Sequence, residues 1–181
     1  MKRIFLSASF LAVTVTAVLT YASGLQAELH NSLIRLHIIA HSDSEFDQSI
    51  KSAVRDAVLE ATSGIDAADI EQFRVTAQDA ANQYLKSRGI EYRAAAEYGE
   101  FKFPTKEYGT VSLPAGKYNG IRITLGSGNG HNWWCIMYPP LCVGEGDTAK
   151  EALRLAISDD AYETITKKPD IRFRILELMG K

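Results

Sequence analysis

The 181 residues contain only two cysteines and five prolines, and residues 4–27 carry no charge at all. Two cysteines cannot build a multi-bridge scaffold, and so few prolines exclude a proline-rich linker or a collagen-like repeat. A basic excess is missing too: 20 Lys and Arg stand against 22 Asp and Glu, a net charge of −2. A protein held to nucleic acid by phosphate neutralisation needs that excess, so no nucleic-acid partner is expected. The whole chain is 46% hydrophobic and 23% charged, the ordinary make-up of a folded domain.

The uncharged stretch has a direction. Lys2 and Arg3 precede an apolar run over residues 4–19, and small residues at Ala22 and Gly24 offer cuts after either one. That three-part layout is a secretory signal, the alternative being a buried helix of the domain itself. Membrane spanning takes about 17 to 25 apolar residues, so residues 1–27 read as a signal peptide or an uncleaved anchor. Residues 28–181 read as one exported domain. Losing residues 1–24 leaves 18 basic against 22 acidic residues, net −4, which does not favour anionic lipid. Membrane contact is therefore expected only through the N-terminal segment.

In the exported part, Ile34, Leu36, Ile38 and Ala40 alternate with Arg35 and His37, the pattern of a half-buried strand with the two basic side chains on its outer face. Ser44 with Asp47 resembles a capping box, and Ile50, Ala53, Val54, Ala57, Val58 and Ala61 continue at helical spacing. Asp47 is placed to pair with Lys51 one turn on. Gly64 stops this helix, and a second, antiparallel one runs from about Ala67 to Gly89, with Ile70, Phe73, Ala77, Ala80, Ala81 and Tyr84 on its stripe. Strands follow: one alternating from Ile90 to Tyr98 with a bend at Gly99 before Phe101 and Phe103, a short run at 111–113, and another at 121–125. Helical spacing returns after Thr148. Pro169 breaks it, and 171–179 is ambiguous between helix and strand. Strand, two helices, several strands and terminal helices make an α+β domain.

Residues 126–142, GSGNGHNWWCIMYPPLC, hold both tryptophans, both cysteines, three glycines and the Pro-Pro pair. The Gly126, Gly128 and Gly130 amides could cradle a phosphate, but the lysine and helix context of nucleotide-binding loops are missing. Cys135 with His131 nearby could act as a nucleophile in an envelope hydrolase or transpeptidase. Two cysteines seven apart with scattered histidines do not make a metal site, and no metal or cofactor is expected. The structural alternative uses the glycines for tight bends, the tryptophans for packing, and Cys135 and Cys142 as a disulfide through Pro139-Pro140 or as two buried thiols.

The run Ile34-Arg35-Leu36-His37-Ile38-Ile39-Ala40-His41-Ser42-Asp43-Ser44, then Asp47-Gln48 and Val54-Arg55-Asp56-Ala57-Val58, resembles the opening of the stage II sporulation protein R family of endospore-forming bacteria. Tyr108-Gly109, Leu113-Pro114-Ala115-Gly116 with Tyr118, and the glycine-rich His-Asn-Trp-Trp-Cys and Pro-Pro-Leu-Cys runs match it as well. After Cys142 the likeness is weaker. The resemblance implies a developmental signal and not an enzyme. Such proteins are made in the forespore and exported into the space before the mother cell. There they trigger a membrane-embedded aspartic protease that processes pro-sigma-E.

A protein signal needs a receptor surface with anchoring residues ringed by polar groups. Trp133 and Trp134 are the first candidates, because neighbours on a strand face opposite ways and one of them could point outward. His131 and Asn132 flank them. Arg35 and His37 on the outer strand face, with His41 and Asp43 in the following turn, form a second candidate patch.

Overall fold

The computed structural model describes residues 2–66, 69–141, 147–167, 174–175 and 177–178. Cys142, Ala67, Pro169 and most of the ambiguous stretch 171–179 lie outside them; 174–175 and 177–178 are helical.

The molecule is α+β. Helix α1 (Lys2–Ser32) leads into β1 (Ile34–Ile39), α2 (Glu45–Ala61), α3 (Ile70–Ser87), β2 (Ala94–Phe103), β3 (Lys106–Tyr108), β4 (Val111–Leu113), β5 (Gly116–Leu125), β6 (Asn132–Tyr138), α4 (Asp147–Ala156) and α5 (Asp159–Thr166). The main sheet runs β2-β5-β1-β6, and β3 and β4 form a separate hairpin. β1 is parallel to β5 and antiparallel to β6, while β2 is antiparallel to β5. β1 is thus central, hydrogen-bonded on both sides.

One face of the sheet packs on the α2–α3 pair. Leu36 and Ile38 of β1, Ile121, Ile123 and Leu125 of β5 and Cys135 of β6 meet Val54, Val58, Phe73, Ala77 and Ala81 in one apolar cluster. Ser44 caps α2 as expected, its side chain accepting from the Asp47 amide, and Gly64 and Gly89 take positive φ beyond the two helix ends. Asp47 does not pair with Lys51. Its carboxylate accepts from Ser42, Ser44 and Tyr92, whereas Lys51 donates to Gln48 Oε1 and to the His131 carbonyl.

The other face corrects the sequence reading. Arg35 is 0% and His37 4% exposed, not solvated. A second layer covers them: the foot of α1 (Ala22, Leu25, Leu29), the β3–β4 hairpin, and α4 and α5 through Leu153, Ile157, Ala161 and Ile165. Alternation correctly separated the two faces of β1, but it cannot tell water from a second layer. Two of its buried residues, Ala22 and Leu25, come from the segment whose composition reads as an export signal. α1 runs without a break across residues 27 and 28.

β2 also differs from expectation. It starts at Ala94 and passes Gly99 unbent, with Gly99 paired to Gly120. Ala94 and Ala96 face the first cluster, and Phe101 and Phe103 the second. Side chains of α3 close its outer edge: Asn82 donates to the Ala94 carbonyl and accepts from the Ala94 amide, both at 2.9 Å. Gln78 accepts from the Ala96 amide, and Arg74 donates to the Ala96 carbonyl.

Candidate functional site

The polar corner lies where β1 and β5 end, α2 begins and β6 starts. Its scaffold is the glycine-rich turn. Gly126 and Gly128 take φ of +54° and +63°, and a Cβ on Gly126 or Gly130 would run into the His41 ring or the Ser42 carbonyl. Only glycine lets the two loops lie this close. The amides of Gly126, Gly128 and Gly130 donate to the carbonyls of Arg93, Leu125 and Ala40. They are spent inside the fold, so the phosphate cradle is not formed.

His41 is fixed from two sides. Its ring stacks on Tyr92 at 4.5 Å, and its Nδ1 accepts from the Ser127 amide at 2.9 Å. An accepting Nδ1 leaves the proton of the neutral ring on Nε2. The Tyr92 hydroxyl continues to Asp47 at 2.8 Å, and Ser42 donates to the same carboxylate at 2.5 Å. The Ser42 hydrogen bond holds the Asp47 carboxyl below its usual range, against the opposing effect of burial. Lys51, 8% exposed, is lowered by burial. It ties α2 to the start of β6 through the His131 carbonyl at 2.9 Å.

On this base sit the exposed groups. Asp43 Oδ1 accepts from the His131 amide at 2.6 Å and also meets His131 Nδ1. Both side chains are more than half exposed. His131, Asn132, His41 and Asp43 therefore come together at one corner, as the sequence suggested only for two separate patches.

The tryptophans divide as the pleat requires, but neither is fully exposed. Trp133 packs with the α2–α3 cluster, with the Arg55 guanidinium 5.5 Å from its ring centre. Trp134 packs in the second layer, stacked on His37 at 4.8 Å and edge-on to Phe103. The expectation of one buried and one outward tryptophan gives way to two partly buried ones.

Arg35 and His37 are structural neighbours of this pair and not a surface patch. Arg35 lies 4.1 Å from the Phe103 ring centre and 4.9 Å from that of Tyr118, and donates to the Tyr108 hydroxyl at 3.1 Å. Its Nε and Nη1, and both nitrogens of His37, find no hydrogen-bond partner among the described residues. Burial, with Arg122 and Arg35 nearby, lowers the His37 pKa to about 4, so the ring is neutral at physiological pH.

Cys135 is fully buried, and no cysteine among the described residues is free. A nucleophile needs access and a base; here the thiol position is sealed, and the neighbouring histidine, His131, is engaged by Asp43. Among the described residues no cluster of His, Cys, Asp and Glu could hold a metal ion.

Sequence comparison follows the same elements. The profile of the family described as stage II sporulation protein R matches residues 30–148, from the end of α1 through β6 into α4. The stage II sporulation protein R of Bacillus subtilis (strain 168) is 33% identical over 130 residues, 65% of this chain and 58% of that relative. The chain thus spans less than two thirds of the length of the curated relative it matches. No solved structure matches it.

Proposed function

Because the chain belongs to the stage II sporulation protein R family, we propose that it is the exported signal of endospore formation, sent from the forespore to trigger the mother-cell membrane aspartic protease that processes pro-sigma-E. The family match carries this reading, since it covers the sheet, the α2–α3 pair and the whole polar corner. An apolar helix of 24 residues, Ser9–Ser32, is long enough to cross a membrane and supports export by a signal or anchor segment. The buried Cys135 removes the main support for an envelope hydrolase.

The receptor contact is the corner of His41, Asp43, His131 and Asn132, with the partly exposed edges of Trp133 and Trp134 beside it. It combines fixed polar groups with aromatic area, the pairing that binding surfaces favour. The Cys135–Cys142 bond belongs to the same proposal as a staple of the Pro-Pro loop.

The test is co-production in a non-sporulating host of this chain, the candidate protease and its pro-sigma substrate. Removal of the pro-segment only when this chain is present is the expected result. A protease equally active or equally silent with and without it would refute the proposal.

A further inference from the structure

α1 is one helix with two environments. From residue 10 to residue 21 its described apolar side chains stand in the open: Phe10 is 72% and Val13 67% exposed. The threonine hydroxyls there are satisfied internally, Thr14 by the Phe10 and Leu11 carbonyls, Thr16 by Ala12 and Thr20 by Thr16. A helix with bare apolar side chains, whose threonine hydroxyls are satisfied by its own carbonyls, suits hydrocarbon. At 1.5 Å per residue, residues 4–23 reach about 30 Å, the thickness of a bilayer's apolar core.

The foot of the same helix is built into the domain. Ala22, Leu25 and Leu29 are 3%, 5% and 0% exposed in the second layer. Tyr21 bonds to Asp160, and Glu28 accepts from the Ser158 amide at 2.5 Å and from its hydroxyl at 3.0 Å, at the start of α5. His30 meets the Lys117 carbonyl of β5. Both bonds that a signal-processing peptidase would cut, after Ala22 and after Gly24, fall within this docked foot. Peptidases cut unwound, accessible backbone, and a packed helix must open first.

We propose that folding around the foot of α1 closes these bonds to the peptidase. The exported protein then stays in the membrane it has crossed, and its domain rests directly on the outer bilayer surface with no linker. This rests on the export reading above and adds a partner, the lipid bilayer, and a fixed seat for the domain. Since helix and domain are continuous from residue 22, the α1–α5 side lies nearest the lipid.

The full chain, carrying a C-terminal epitope, is produced in a bacterium with its own signal peptidase. Spheroplasts are treated with protease, membranes are washed at alkaline pH, and the intact mass is measured. The expected wild-type product is degraded from outside, resists the wash and retains residues 1–24. In Leu29→Ser the foot is released, so a product starting at Ser23 or Leu25 should dominate. Unfolding of that variant would release the foot all the same. The milder pair Tyr21→Phe with Glu28→Ala should give several-fold more cut product than wild type. A wild-type chain that lies outside but starts at Ser23 or Leu25 overturns this inference alone. A domain sheltered from protease overturns export and this inference together. Full retention of residues 1–24 in both variants would show that docking is not what protects the bonds.

Discussion

His37 lies face to face with Trp134, ring centroids 4.8 Å apart and planes within 16° of parallel. The two are direct partners across the β1–β6 ladder. Phe101 and Phe103 flank the imidazole at 5.5 and 5.2 Å, so the ring sits among aromatic groups, and neither nitrogen has a hydrogen-bond partner among the described residues.

That setting makes His37 a source of acid sensitivity. Its folded pKa of about 4 lies below the unfolded value of 6.5. Between those values the unfolded chain binds more protons, so stability falls as pH drops from 6.5 towards 4 and the loss is complete below both. The shift corresponds to a loss of up to about 3 kcal/mol. His37→Phe, which keeps the stack, should flatten the melting temperature over this window. An unchanged pH profile in the variant would place the acid sensitivity elsewhere.

The tryptophans should both matter to stability. Trp134→Ala removes the stack on His37 and the edge contact with Phe103, and should cost about 3 kcal/mol. Trp133→Ala also opens space against the α2–α3 cluster, but part of its area already meets water, so a smaller loss is expected. Chemical denaturation of both variants checks the order. A Trp133→Ala protein as stable as wild type would mean that its ring contributes area to a partner and nothing to the core.

Much of this was legible in the chain. The two faces of β1, the capped start of α2, the α2–α3 pair and the opposite facing of Trp133 and Trp134 all follow from periodicity. The solvated reading of Arg35 and His37 failed because periodicity records which residues share a face, not what covers it. The cover comes from α1, whose composition signals export, and from α4 and α5, distant in sequence. Alternation places Tyr92 in a strand, yet it stands outside β2 and reaches Asp47. The glycine-rich turn was visible as unusual; that its amides are spent on Arg93, Leu125 and Ala40 depends on chain ends meeting in space.

Asn82 offers a separate check on the sheet. Its amide group satisfies both the carbonyl and the amide of Ala94 at the outer edge of β2. Asn82→Ala would leave both without that partner, at a cost of about 1 to 3 kcal/mol. Hydrogen exchange at the Ala94 amide should rise in the variant well before exchange at Ile121 or Ile123. Uniform acceleration across the sheet would instead mean that the edge and the core open as one unit.

The cysteines give a covalent test. Cys135 is buried and is not a free thiol, while Cys142 lies outside the described residues. A bond between them would constrain a short loop of the unfolded chain and add about 2 to 3 kcal/mol before any strain. Intact mass of the exported protein under non-reducing conditions, with and without alkylation, decides it. Two alkylated cysteines without prior reduction would remove the bond from the proposal.

The polar corner separates scaffold from contact surface. Asp47 is 6% exposed and accepts from Ser42 and Ser44 next to the start of α2 and from Tyr92 beyond β2. Its depressed carboxyl pKa means that this stabilisation is present above the usual carboxylate range and is lost as pH falls through the folded value. Asp47→Ala removes the shared acceptor of the Ser42, Ser44 and Tyr92 hydroxyls and should lower the melting temperature clearly. Asp43 and His131 form an exposed pair, and exposed pairs are worth only about 0 to 1 kcal/mol. Asp43→Ala and His131→Ala should therefore melt near wild type. If the corner docks on the protease, both should weaken pro-sigma processing by about tenfold or more in the co-production assay, the effect of losing a contact of at least about 1.4 kcal/mol. Normal processing by both variants, with unchanged melting, would exclude this corner as the docking surface. The exposed rims of Trp133 and Trp134 would then be the next place to look.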